Sequence, residues 1–222
     1  ALRSLESNTG RALPVNVHLK KRIPMQAGLG GGSADAAAVL AGVNRLYELG
    51  LDEQQLLNIA AGVGADVPFL LKGGLCLCEG IGERLTSVDT RAFPDYAFLL
   101  VKPDFSISTQ KAYEAMDSAA VKQRPDFEKL LYGLAKGDSN ALQAGVVNEF
   151  EAYAASCFPV IDEVKQAMLD TGALCASMSG SGSVLFGMYR KGMEKAAETK
   201  LRRQWRSIWR AEPIDRALLY LS

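Results

Sequence analysis

Residues 24–35 read Pro-Met-Gln-Ala-Gly-Leu-Gly-Gly-Gly-Ser-Ala-Asp, with Gly28, Gly30, Gly31 and Gly32 directly ahead of a strong helical pattern. Glycine permits φ > 0 and removes the Cβ atoms that would keep an anion at a distance. Successive backbone N–H groups then converge into an anion nest. A helix starting near Ser33 or Ala34 adds its unpaired N–H groups and the positive end of its dipole. The Ser33 hydroxyl can reach a phosphate oxygen or a magnesium ion. The loop therefore suits a polyphosphate. It is not a Walker A loop, because no Lys-Ser or Lys-Thr pair closes it. It also departs from the Rossmann G-x-G-x-x-G spacing, since Ser33 stands at the third glycine position. The alternative is a glycine-rich hairpin or a tight strand-to-helix turn, but so many glycines exceed what a tight turn requires.

Two further groups carry chemical potential. Asp66 lies in Gly64-Ala65-Asp66-Val67-Pro68, ahead of apolar Phe69, Leu70 and Leu71. A partly buried carboxylate there can accept or orient a hydroxyl proton. A helix cap or an Asx turn is the structural alternative. Residues 179–183 read Ser-Gly-Ser-Gly-Ser between two apolar segments. That loop is either a second anion nest or a hairpin connection. Lys20, Lys21 and Arg22 precede the glycine run, where they either steer anions or form a solvated strand end. The single histidine, His18, falls in an expected strand and reads as structural or solvent-facing.

Composition narrows the partners. The 222 residues carry 25 Lys+Arg against 25 Asp+Glu, so formal net charge is zero. That balance argues against a dedicated nucleic-acid binder, which usually carries a basic excess. No apolar run reaches the ~18 residues of a membrane span. No signal-peptide pattern opens the chain. Cys76, Cys78, Cys157 and Cys175 form no CxxC pair, and with one histidine a zinc site is poorly supported. No metal site of the protein's own is expected, and scattered free thiols suit the reducing cytoplasm.

The elements that must position these groups follow from periodicity. Ala1, Leu2 and Leu5 space as one helical face. Residues 15–21 alternate as a half-buried strand. A helix is expected over 34–49, ended by Gly50, and another over 52–62 with Asp52 and Gln55 as a capping box. Pro68 is expected to hold Val67 outside the helical region. Strands are expected over 75–77, 84–88, 96–101, 173–178, 184–188 and 207–211. Helices are expected from Ser108 or Thr109 through Met116, over 126–170 with breaks at Gly137-Asp138, Asn148 and Pro159, and over 192–204. Trp205 and Trp209 read as core-edge residues. From residue 96 onward the order is β-α-β-β-α-β with extra helices, that of a ferredoxin-like unit. Residues before 90 belong to another unit.

Taken together, Pro24–Ser33, Asp66 and Met178–Gly182 resemble the GHMP kinase superfamily, whose phosphate loop looks like P-x-x-x-G-L-G-[GS]-[GS]-[SA]. The resemblance implies an α+β, two-domain GHMP kinase fold. Residues 1–90 would be the N-terminal, ATP-binding domain, related to ribosomal protein S5. Residues 91–222 would be the ferredoxin-like C-terminal domain. KRIPMQAGLGGGSADAAAVL, VGADVPF, EGIGERLTSV and VKPDFSISTQKAY place it nearest the branch acting on a cytidine diphosphate-linked methylerythritol. By resemblance, that substrate's 2-hydroxyl is phosphorylated by ATP with Mg2+ in non-mevalonate isoprenoid biosynthesis. Pro24, Met25, Gln26, Ala27, Gly28, Leu29, Gly30, Gly31, Gly32, Ser33 and Ala34 would hold the ATP phosphates. Asp66 would be the catalytic residue. Thr109, Tyr113, Gly180, Ser181 and Gly182 would contact substrate, with Tyr113 stacking on the pyrimidine. Ala34 departs from the family, in which many members carry a second Ser. Another GHMP kinase, a nucleotide-binding module without turnover and a ferredoxin-like interaction domain are the competing readings. The family's A-K-[IVL]-N-L strand and its G-Y-H-like turn do not occur in this sequence. The resemblance thus implies an N-terminally truncated S5-like domain and impaired turnover by this chain alone. The expected partners are small molecules, with no nucleic acid or membrane, and the expected state is a monomer or weak homodimer.

Overall fold

The computed structural model describes residues 1–118 and 125–215. The chain separates into two compact units. Unit 1 is built mainly from Ala1–Met25 and Gly30–Thr90, and unit 2 from Gln26–Leu29 and Arg91–Pro213.

Unit 1 packs four helices: α1 (Leu2–Thr9), α2 (Gly31–Leu46), α3 (Glu53–Ala61) and α4 (Val67–Lys72). An antiparallel hairpin, β1 (Cys76–Glu79) with β2 (Arg84–Ser87), follows them. Leu5, Ala37, Leu40 and Ala60 are fully buried at its centre, where their apolar area leaves water. Asp52 and Gln55 form the expected capping box on α3.

Three expectations for unit 1 are corrected. The strand expected over 15–21 does not form. Val17 and Leu19 stay exposed, and among the described residues no strand pairs with that segment; alternation without a ladder partner does not make a strand. Helix α2 runs from Gly31 to Leu46 rather than from 34 to 49. Its end is set by Asn44, whose side chain exchanges hydrogen bonds with the Leu51 backbone (3.0 and 3.2 Å), so Gly50 is not the stop. Pro68 does not keep Val67 out of a helix. Both lie in the first turn of α4, where a missing N–H costs nothing because that donor has no intrahelical partner.

Unit 2 contains β3 (Tyr96–Val101), α5 (Thr109–Ser118), α6 (Phe127–Lys136), α7 (Ser139–Gly145), α8 (Glu151–Cys157), α9 (Val160–Asp170), β4 (Cys175–Met178), β5 (Leu185–Arg190), α10 (Glu194–Leu201) and β6 (Ile208–Ala211). The four strands form one antiparallel sheet in the order β4-β5-β3-β6, the spatial order of a ferredoxin-like unit. Leu99 sits opposite Gly187 on one side and Arg210 on the other. One sheet face and the helices bury Leu99, Val101, Ile161, Val164, Met168 and Tyr189. The breaks between helices fall at Gly137, Asn148 and Pro159 as expected: Gly137 takes φ +63 and Asp138 caps α7 through Ala141 N–H. Trp209 lies on β6 and Trp205 packs against the core edge.

Candidate active site

The glycine run divides between the units at Leu29. Within unit 2, Ala27 C=O accepts from Val184 N–H at 3.2 Å and Gly28 C=O accepts from Ser179 Oγ at 2.9 Å. Gly28 takes φ +71, and a Cβ there would stand 1.9 Å from the Ser179 carbonyl oxygen. Gln26 adopts φ +51 without being glycine. Ala27 is buried, whereas Met25 is largely exposed.

Within unit 1, Gly30 takes φ +62 and is the N-cap of α2. The first intrahelical bond runs from Ala34 N–H to Gly30 C=O at 2.9 Å. The amides of Gly31, Gly32 and Ser33 thus precede the helical ladder, and no side chain caps the end. Glycines at 31 and 32 keep Cβ atoms off that end, and a Cβ at Gly32 would meet nothing within 4 Å. Three uncapped donors and the positive helix dipole in one place attract an anion. Lys21 is not the end of a solvated strand. Its Nζ donates to Gly31 C=O at 3.2 Å and pairs with Asp35, which puts a cation beside the first turn of α2.

Asp66, in unit 1, occupies the N-cap position of α4, yet its side chain makes no cap hydrogen bond. It is exposed rather than partly buried as expected, because the apolar residues that follow turn into α4 and bury Val67 and Pro68 instead. The structural alternative, a cap, is therefore not what its carboxylate does. The hairpin backs this turn: Gly82 takes φ +115, and a Cβ there would stand 2.7 Å from Ala65 C=O. The Asp66 charge is also felt by Cys78. Desolvation chiefly, then Cys76, then Asp66, hold that thiol's pKa above its ordinary value.

The β4–β5 loop of unit 2 is a hairpin connection that also grips the glycine run. Gly182 N–H closes on Ser179 C=O at 3.0 Å, and Ser179 N–H on Val184 C=O at 2.8 Å. Gly180 and Gly182 take φ +53 and +85. Ser181 lies between them. Two residues of α8 and its approach hold this loop and were read only as a helix break and its sequel. Asn148 Nδ2 donates to Met178 C=O at 2.7 Å and to Gly180 C=O at 2.8 Å. Glu151 Oε2 accepts from Ser177 Oγ and Met178 N–H, each at 2.8 Å, while Oε1 pairs with Lys165. Only the chain's return through β4 creates these contacts, so no local spacing signals them. Thr109 is the first residue of α5. Tyr113, also on α5, is half-exposed and meets Phe150 edge to face, with ring centroids 4.9 Å apart.

Similarity to known proteins shows the family of the chain. The description of the GHMP kinases' N-terminal domain fits residues 1–74, and that of their C-terminal part fits 127–207. A 4-diphosphocytidyl-2-C-methyl-D-erythritol kinase of Caldicellulosiruptor bescii is 41% identical over 196 residues, covering 87% of this chain and 68% of the relative. The chain belongs to the GHMP kinase family. That family is one of ATP-dependent small-molecule kinases, and the fold of this chain is their α+β fold. A kinase of the same name from Acetivibrio thermocellus is 42% identical over 79% of this chain and 61% of its own length. The chain thus spans about two thirds of the length of such relatives. A crystal structure of 4-(cytidine 5'-diphospho)-2C-methyl-D-erythritol kinase superposes with a TM-score of 0.72 at 34% identity, over 86% of this chain and 68% of that one. Homoserine kinase from Cytophaga hutchinsonii reaches the same TM-score at 21% identity, over 89% of this chain and 69% of that one, a likeness of fold. Among the described residues no helix is long and apolar enough to cross a membrane.

Proposed function

We propose that this protein transfers the γ-phosphoryl group of ATP to the 2-hydroxyl of 4-diphosphocytidyl-2-C-methyl-D-erythritol, a step of isoprenoid biosynthesis. The observation that carries this reading is the glycine run: three uncapped amides at the α2 N-terminus, preceded by Gly30 in a left-handed conformation (φ +62) that strains any residue with a side chain. The relatives' shared name supplies the acceptor.

Bound Mg-ATP supplies the phosphoryl group and neutralises part of its own charge. The chain's residues do the rest. Pro24–Ala34 cradle the phosphates, with the amides of Gly31, Gly32 and Ser33 as donors and Lys21 as a nearby cation. Among the described residues no group of three metal-ligating side chains occurs. Mg2+ keeps several waters and is held largely by substrate phosphates with one or two protein oxygens, usually carboxylates; the Ser33 hydroxyl, in the first turn of α2, would supply one such oxygen. Asp66 accepts or orients the acceptor hydroxyl's proton; its exposed, uncapping carboxylate is available for this. Phosphoryl transfer rests mainly on positioning and charge stabilisation, so orientation counts as much as basicity. Gly180, Ser181 and Gly182 border the acceptor, and Thr109 and the half-exposed Tyr113 hold its cytidine, Tyr113 through stacking. The proposal extends to ATP-binding residues 1–90, a C-terminal domain over 91–222, a cytoplasmic setting and a monomer or weak homodimer. The four free thiols support the cytoplasmic setting.

The test offers Mg-ATP with the cytidine diphosphate-linked acceptor, homoserine or mevalonate, and follows phosphate monoester formation by phosphorus NMR. Transfer to the first acceptor alone is expected, at the impaired rate that the sequence implies. Transfer to homoserine or mevalonate instead contradicts the assignment.

A further inference from the structure

Asn148, Glu151 and Lys165 have no assigned role in the kinase reading, yet they converge on the end of β4. That strand is at the edge of its sheet, so among the described residues one side of its backbone has no neighbouring strand to pair with. The N–H and C=O of Met178 go instead to Glu151 and Asn148. Asn148 is fully used: both bonds of Nδ2 reach carbonyls, and Oδ1 accepts from Phe150 N–H at 2.9 Å. Glu151 is only 16% exposed. A carboxylate so far from water is tolerable only with partners. It has three, in Ser177, Met178 and Lys165.

The held loop is the one that touches the glycine run. Asn148 fixes the Gly180 carbonyl, and the neighbouring Ser179 donates its Oγ to Gly28 C=O. Two hydrogen bonds and one peptide link therefore connect Asn148 to Gly28. Gly28 has no slack on that side, because its α-carbon already packs against Ser179 C=O.

We propose that Asn148 and Glu151 are positioning residues for the nucleotide: they hold the 179–184 loop so that Ser179 sets the first half of the phosphate-binding run. The inference rests on the reading that residues 24–34 bind ATP phosphates. Neither side chain needs to touch the ligand, and the effect passes through Ser179.

Calorimetric titration with Mg-ATP of the wild-type chain, Asn148→Ala, Ser179→Ala and the double variant tests it, with urea unfolding of each as the stability control. Each single variant is expected to weaken affinity by about ten-fold. The double variant is expected to be no weaker than about a single one, because both cut the same path. Asn148→Asp keeps the bond to Phe150 N–H but loses both donors, and is expected to weaken binding at least as much while preserving volume. Unchanged affinity in folded Asn148→Ala and Asn148→Asp, or losses that multiply in the double variant, would overturn the inference. Amide exchange at Val184, whose N–H donates to Ala27 C=O, reads the path without ligand. It should accelerate in Asn148→Ala, and an unchanged rate overturns the inference by itself. A folded wild-type chain that binds no Mg-ATP is a different failure, that of the kinase reading.

Discussion

Gly28 and Gly32 stand four positions apart, and their surroundings make opposite demands on a side chain. Gly28→Ala places a methyl 1.9 Å from the Ser179 carbonyl at positive φ, so the backbone must move. Loss of stability of about 1–3 kcal/mol is expected, together with loss of nucleotide binding. Gly32→Ala meets open space in a helix that favours alanine by roughly 1 kcal/mol. Its urea midpoint should hold or rise. Asp66→Asn separates chemistry from stability at a single residue. Asp66 is exposed and caps nothing, so its urea midpoint should stay put while kcat falls by about 10²–10⁴-fold. A matching fall in stability would return Asp66 to a structural role. The glycine turn and the helix start behind it were legible because their geometry is local, whereas the exposure of Asp66 was not. The partners of Lys21, Asn148 and Glu151 were not legible either, because Asp35, Met178 and Gly180 reach them only through the folded chain.

Helices and strands obeyed local rules wherever a local partner sufficed. The Asp52–Gln55 box caps α3 through bonds of 2.8 and 2.9 Å. Asp52→Ala should cost about 1 kcal/mol, read as a lower urea midpoint. Strand β3 and the helix breaks at Gly137 and Pro159 follow apolar runs and backbone constraints, and the sequence pattern located them. Segment 15–21 has a strand's alternation without a strand's partner among the described residues. Pro68 was misread because proline is tolerated in a first helical turn, and the position of that turn depends on where Val67 and Pro68 find burial. The end of α2 was misplaced because Asn44, a side chain inside the helix, decides it.

Across the whole molecule, unit 2's ferredoxin-like order could be read from the succession of elements. Its register could not, since Leu99 opposite Gly187 and Arg210 depends on contacts about a hundred residues away in sequence. Burial in this unit has a consequence at alkaline pH. Burial pushes the Cys175 thiol from its ordinary 9.0 up to about 12, and also raises Tyr96 and Tyr189. The folded state therefore keeps a proton that the unfolded chain releases above pH 9.0. Stability from Cys175 is complete below that pH and declines as pH rises towards about 12. The urea midpoint should fall across that window, and Cys175→Ala should make the fall shallower. An equal slope in that variant would mean other groups govern the alkaline limit.

The central claim is that the start of α2 receives nucleotide phosphates. Nitrogen-15 NMR of the labelled chain during Mg-ATP titration tests it at the atoms concerned. The account predicts saturable shifts of the Gly31, Gly32 and Ser33 amides, larger than those elsewhere in α2, and no such shifts in Gly28→Ala. Saturable shifts confined to other segments, or none in a folded chain, would contradict it.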